Sequence, residues 1–196
     1  MEESSHAPDR RTSLLEAAFD VIAHEGFEGL RTRRVAEKAG VNIATLHYYF
    51  PKKSVLIWSL SEYIGLQFLS IHAPPVPSSG KPGLDRLRQE FADYAFYNEH
   101  HPDLMTVMEE LVLRAKRDQA VREVVDKMRW YWRQGLAEIA RMGIADGSFR
   151  SDLDLNQVTE MLVTIFVGLG ATRPANADAI RESVENWLVK PQEREN

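Results

Sequence analysis

Apolar residues recur along this chain at helical spacing, and no stretch alternates apolar and polar residues as a half-buried strand would. Helices are predicted over about 11–25, 31–38, 43–49, 53–72, 84–100, 103–116, 118–145, 156–171 and 177–189. The first carries Leu15, Ala18, Phe19 and Ile22 on one face and is closed by Gly26-Phe27-Glu28-Gly29-Leu30. Val35, Ala36 and Ala39 share a face of the second helix, and Leu46, Tyr49 and Phe50 share a face of the third. Between these two, Gly40 can take the positive φ that ends a helix, and Asn42 is a strong N-cap for the next. Two short helices joined this way form a helix-turn-helix, whose second helix can enter the DNA major groove. An ordinary helical hairpin has the same periodicity, so residue types have to separate the two. The short helix 43–49 would expose Ile43, Ala44, Thr45, His47 and Tyr48, and Lys52-Lys53 follow directly after Pro51. Hydroxyl, aromatic and cationic groups in that position suit a phosphate-flanked groove better than bulk water.

The predicted helix 53–72 rises about 1.5 Å per residue and so spans roughly 30 Å. It would start in the head and carry Ile64, Phe68 and Ile71 into the body, joining the two rigidly. Ala73 to Gly83 holds four prolines and two glycines, which forbid a continuous helix and predict an extended, mobile connection within the body. Near the C-terminus, Val158, Met161, Leu162, Ile165, Phe166 and Leu169 form one stripe, while Val163, Val167, Gly170 and Ala171 make the opposite side apolar too. Such a helix is buried on both sides. In 177–189 the stripe is Ala177, Ile180, Val184, Trp187 and Leu188, with Arg181, Glu182, Glu185 and Asn186 facing away.

Charge adds a second distinction. The net charge of −5 looks wrong for a nucleic-acid binder, but residues 10–53 carry eight Lys/Arg against five Asp/Glu. A basic head on an acidic body fits phosphate contact by one end and argues against wrapping long nucleic acid. Cysteine is absent, which excludes disulfides, thiolate metal sites and cysteine nucleophiles. The N-terminus is polar and acidic, unlike a signal peptide, and the best uninterrupted apolar run, Val163 to Gly170, is too short to cross a bilayer. A cytoplasmic protein without a membrane partner is expected.

Val35-Ala36, Gly40-Val41, Ala44-Thr45-Leu46, Tyr49-Phe50-Pro51 and Lys53 together resemble the N-terminal domain of the tetracycline-repressor (TetR) family, a match covering about residues 12–57. The rest resembles that family in helical layout and in the turn Asp146-Gly147-Ser148-Phe149-Arg150. The resemblance implies an all-α chain of about nine helices: a three-helix helix-turn-helix head on a helical-bundle body. It places the DNA-binding domain at 1–52, with 1–10 a flexible arm, and the ligand-binding and dimerisation domain at 53–196. It further implies a homodimer that represses transcription and leaves its double-stranded operator when a small hydrophobic effector binds. On this resemblance Thr32 would touch a phosphate and Arg33 a base edge, Arg to guanine being the commonest specific pairing in the major groove. Ile43 and Ala44 would meet thymine methyls; Thr45, Tyr48, Tyr49 and Lys53 would meet phosphates. At His47 the family usually has tyrosine, so the contact made there is open. Arg31 and Arg34 read as solvated charges, and Arg10 and Arg11 as part of a disordered tail. The family layout makes the last two helices a four-helix dimer seam through Met161, Ile165, Gly168, Leu169, Ile180, Val184 and Trp187.

Composition alone offers an effector site in the body: Phe68, Phe91, Tyr94, Met105, Met108, Met128, Tyr131 and Phe166 are large, soft or amphipathic, and would suit a flat apolar or cationic guest. For any one of them, plain core packing is the stronger reading. No metal or cofactor is expected: His100-His101 are adjacent and lack the i, i+4 spacing of helical ligands. Neither a catalytic motif nor a Gly-rich phosphate cradle occurs, so an enzyme is not expected. The rival readings are an activator without a small-molecule effector, and a helical interaction or sequestering protein whose head no longer binds DNA.

Overall fold

The structure, a computed structural model, describes residues 9–189 except 173 and 175. Among the described residues it is all helical: α1 (Arg10–Glu25), α2 (Thr32–Lys38), α3 (Ile43–Tyr49), α4 (Lys53–Ser70), α5 (Pro82–His100), α6 (Pro102–Ala115), α7 (Gln119–Ala145), α8 (Leu155–Thr172) and α9 (Ala177–Leu188). A single 3₁₀ turn, Phe27–Gly29, follows α1. The predicted helices are all present, with boundaries shifted by one or two residues.

The chain divides into two compact units, one running through Ile71 and adding Tyr97–Met128, the other His72–Phe96 with Arg129 onward. In the first, buried residues of α1 to α4 share a core with Leu104, Val107 and Leu111 of α6 and Val121, Val124 and Val125 of α7. The α4 residues expected to pack into the body share this core with α6 and α7: Ile64 is fully buried in it, and Phe68 and Ile71 pack against it. The core of the second unit is built from Leu84, Leu87 and Phe91 of α5, Leu136 and Ile139 of α7, Phe149, and residues of α8 and α9.

Backbone chemistry accounts for the critical turns. At the end of α2, Gly40 has φ of 65°, Val41 N donates to Ala36 O at 2.9 Å and Gly40 N to Glu37 O at 3.1 Å. These are the two bonds of a glycine-terminated helix end. Asn42 then caps α3 by accepting from Thr45 N at 2.8 Å. The segment 73–83, expected to be mobile, is pinned by side chains of α5. Buried Asp93 accepts from Ala73 N and from Gln89 Nε2, each at 2.8 Å; Gln89 Oε1 accepts from Val76 N, and Asp85 accepts from Ser79 N at 2.8 Å. Proline removes helical hydrogen bonding without preventing side chains elsewhere from satisfying the backbone that remains.

In the second unit the turn after α7 acts as a tie. Asp146 Oδ2 accepts from Gly83 N at 2.7 Å, Phe149 N donates to Gly143 O, and Arg150 N donates to Leu188 O, both at 2.8 Å. Glu185, expected to face away, is only 8% exposed, with Arg88 Nη2 at 2.7 Å from one carboxylate oxygen and Arg181 Nη1 at 2.6 Å from the other. Two guanidiniums make burial of that charge tolerable. One further expectation needs correcting. α8 is 18 residues long with mean hydropathy 1.2, long and apolar enough by length and composition to cross a membrane. Its apolarity has another source, because Val158, Leu162, Phe166 and Leu169 are buried in the second unit's core while Val167 on the other side is exposed.

Candidate nucleic-acid interface and effector site

α3 is a seven-residue helix held down by one face. Leu46 and Phe50 are buried at 0% and 1% exposure, which leaves Ile43, Ala44, His47 and Tyr48 together on the outer face. Ile43 is 41% exposed and Tyr48 80%. Large side chains so open on a short helix are not part of the protomer's buried core. Tyr49 is half-buried against the core and meets the Tyr48 ring edge-on at 5.1 Å. Thr45 is half-buried, and its hydroxyl donates to Asn42 Oδ1 at 3.0 Å. Its oxygen therefore remains an acceptor while its proton is committed to the cap.

On α2, Thr32 is half-buried and Arg33 exposed. Arg34 does not simply extend into water: Glu25 holds it at 2.6 Å, and Lys38 pairs with Asp20 at 3.3 Å. The hydrogen bond from Arg34 lowers the Glu25 pKa, and the same bond raises that of Arg34. Lys53 opens α4 with its ammonium 5.1 Å from the centre of the Phe27 ring. Burial, and next the neighbouring Arg114, lower its pKa. Arg11 is part of α1 rather than of a tail; it donates to Ser59 Oγ at 2.7 Å and lies over the Phe50 ring. Arg10 is the first residue of the same helix. Of the arm expected over residues 1–10, residues 1–8 lie outside the described residues.

Sequence reasoning missed how the head is fastened to α6. Glu110 accepts from Phe27 N at 2.9 Å, and Arg114 pairs with Glu28 at 2.7 Å. The partners are more than eighty residues apart, and nothing local in the sequence marks them.

The residues expected to line an effector site divide between the units. Phe68, Met108 and Met128 pack on the first core, Met105 is buried in the same unit, and Phe68 meets Tyr97 edge-on at 5.1 Å. Phe91, Tyr94 and Phe166 belong to the second. Tyr131 is 59% exposed beside Trp130, so it does not point into a core. His100 and His101 line a groove of about 240 Å³ in the first unit, with Phe19, Tyr63, Gln67 and Asp103. No group of three or more His, Asp or Glu among the described residues is arranged to hold a metal.

Of the residues expected at a dimer seam, Met161, Ile165, Ile180, Val184 and Trp187 line one open groove of about 360 Å³ in the second unit. Trp187 is 44% exposed, and Gly168 has open space where a side chain would project. Leu169 does not line that groove; at 4% exposure it belongs to the core of its own unit, as does Val184, which lines the groove, at 6%.

The turn geometry and the exposed face of α3 define a helix-turn-helix DNA-binding protein. Residues 14–59 match the family model for bacterial regulatory proteins of the tetR family, and residues 83–190 match that for the C-terminal domain of BetI-type transcriptional repressors. The transcriptional repressor KstR2 of Mycobacterium tuberculosis is 26% identical over 184 residues, spanning 92% of this chain and 90% of that protein. The repressor NicS of Pseudomonas putida is 28% identical over 170 residues, 83% and 76% of the two chains. A TetR transcription regulator from Haloarcula marismortui shares the fold with a TM-score of 0.75 at 20% identity, covering 93% of this chain and 99% of its own. The chain belongs to the TetR family of transcriptional regulators.

Proposed function

We propose that the protein is a homodimeric, cytoplasmic repressor that grips a near-palindromic operator through α2 and α3 and releases it when a small hydrophobic ligand binds its body. The observation that carries the DNA contact is the exposed face of α3, where Ile43, Ala44, His47 and Tyr48 stand over buried Leu46 and Phe50. In this reading residues 1–52 supply the DNA contacts and 53–196 the ligand and dimer contacts. Arg33 reads a base edge; Thr32, Tyr48, Tyr49, Lys53 and, once its hydroxyl turns away from Asn42, Thr45 set the register on phosphates. The names of the relatives support repression over activation. Release requires the ligand to favour a protein conformation that binds the operator poorly.

The test is fluorescence anisotropy with duplex from the region upstream of the gene, at a stated salt concentration. The parent should bind a specific fragment far more tightly than scrambled DNA. Arg33→Ala should lower affinity by about 1–3 kcal/mol and relax discrimination at one base pair. Equal binding of specific and scrambled duplex by the parent would overturn the reading.

A further inference from the structure

The second unit gathers aromatic rings, one of which holds a carboxylate. Phe166 lies at the centre, its ring centroid 4.6 Å from Phe91, 5.7 Å from Tyr94 and 5.9 Å from Trp132. Glu90, next to Phe91 on α5, reaches the same cluster and accepts from Trp132 Nε1 at 3.1 Å. Its side chain is only 21% exposed, and Arg86, one turn earlier, comes no nearer than 3.7 Å. Burial holds its pKa above the usual carboxylate range, against the opposing pull of the Trp132 hydrogen bond and Arg86; nearby Asp93 pushes it further up, and His72 pulls it down.

A carboxylate in that position costs stability, because an apolar side chain there would pack on the rings with no charge to desolvate. Contrast Glu185 in the same unit, which two guanidiniums neutralise at hydrogen-bond distance. Glu90 has one indole donor, and none of the DNA-contacting residues touches it. The rings and the carboxylate have one chemical property in common: both attract positive charge, the rings through their π faces and the carboxylate by neutralisation. The packing also keeps space for this arrangement. A Cβ on Gly170, one turn after Phe166 on α8, would sit 2.9 Å from the Tyr94 phenol oxygen, so a side chain there would displace that ring.

We propose that Glu90, with Phe91, Tyr94, Trp132 and Phe166, recognises an organic monocation, an alkylated or aromatic ammonium, as the effector. The proposal rests on the reading that the body holds the releasing ligand, and it specifies the class. A neutral hydrocarbon would leave the half-buried carboxylate with no counter-charge closer than Arg86 at 3.7 Å, and an anion would be repelled by it. Phe166 fills the centre of the cluster, so the guest enters as that ring turns aside, and the displaced ring on α8 is the differential contact that a ligand-driven change requires.

The experiment is calorimetric titration of the full-length protein with benzyltrimethylammonium and with neopentylbenzene, its neutral isostere, repeated on Glu90→Gln. The cation should bind the parent at least about tenfold more tightly than the isostere, and Glu90→Gln should abolish that preference. Glutamine retains the acceptor for Trp132, and an unchanged melting transition will show that the variant folds. Equal affinity for the two compounds in the parent, no binding of either, or a preference surviving in Glu90→Gln each overturns the cation assignment. A neutral compound that raises the melting temperature and weakens operator binding would leave the wider repressor reading standing while the cation class fails.

Discussion

Lys53 illustrates how one residue can have two positions. Its place at the N-terminus of α4 suits a phosphate contact, yet its ammonium rests against the Phe27 ring in a partly desolvated setting beside Arg114. If it swings out to DNA, Lys53→Ala will weaken binding to every sequence and reduce the slope of log K against log salt by about one unit. An unchanged slope in titrations between low and moderate salt would mean that it stays on Phe27. Glu185 allows a prediction about acid stability. Burial alone would raise its pKa, but hydrogen bonds from Arg88 and Arg181 outweigh this and hold it below the ordinary value. Its contribution to stability is therefore complete above the unfolded carboxylate pKa, about 4.3, and is lost as pH falls through the lower folded value. Glu185→Gln should melt below the parent at neutral pH, and melting curves recorded downward from pH 7 should show the gap closing below about pH 4.

At the scale of elements, two glycines are needed for different reasons. Gly40 has positive φ and nothing within 4 Å of where a Cβ would stand, so Gly40→Ala meets only backbone strain, about 1 kcal/mol. Gly143 is a helical residue with no unusual backbone. A Cβ there would lie 2.2 Å from the Phe149 ring, and Gly83 in turn packs on the Gly143 backbone. Gly143→Ala should cost about 1–3 kcal/mol through overpacking. Phe149→Leu in the same chain should recover part of that loss, a coupling measurable by denaturant melts of the four-member cycle. Gly40→Ala should show no such coupling to any neighbour. The first glycine was legible in the sequence, because a glycine before Asn between two apolar-periodic stretches signals a helix end. The second was not, because the ring it accommodates is fixed by packing.

At the scale of the whole molecule, the exposed apolar residues of α8 and α9 need a partner, and a second copy meets that need in the proposed dimer. The space beside Gly168 makes the test of Gly168→Arg specific, since a Cβ there meets nothing within 4 Å in its own protomer. Light scattering should give the monomer mass, with a melting transition that remains cooperative. A stable dimer of unchanged mass would remove this face from the seam.

Periodicity and turn chemistry were enough to determine the nine helices of the described residues, the helix-turn-helix and the outward face of α3, because these depend on spacing within a few residues. The pinning of 73–83 by Asp93, Gln89 and Asp85 could not be read from composition, which registers the prolines but not the side chains that hold them. The same is true of Glu185, whose position on the polar stripe of α9 hid its two arginines, one of them ninety-seven residues away. The sequence also could not show that Phe68 and the body methionines go to one core while Phe91, Tyr94 and Phe166 go to another. Large apolar side chains are interchangeable in a helical pattern, and only the tertiary fold decides which of them meet, and which carboxylate Trp132 reaches.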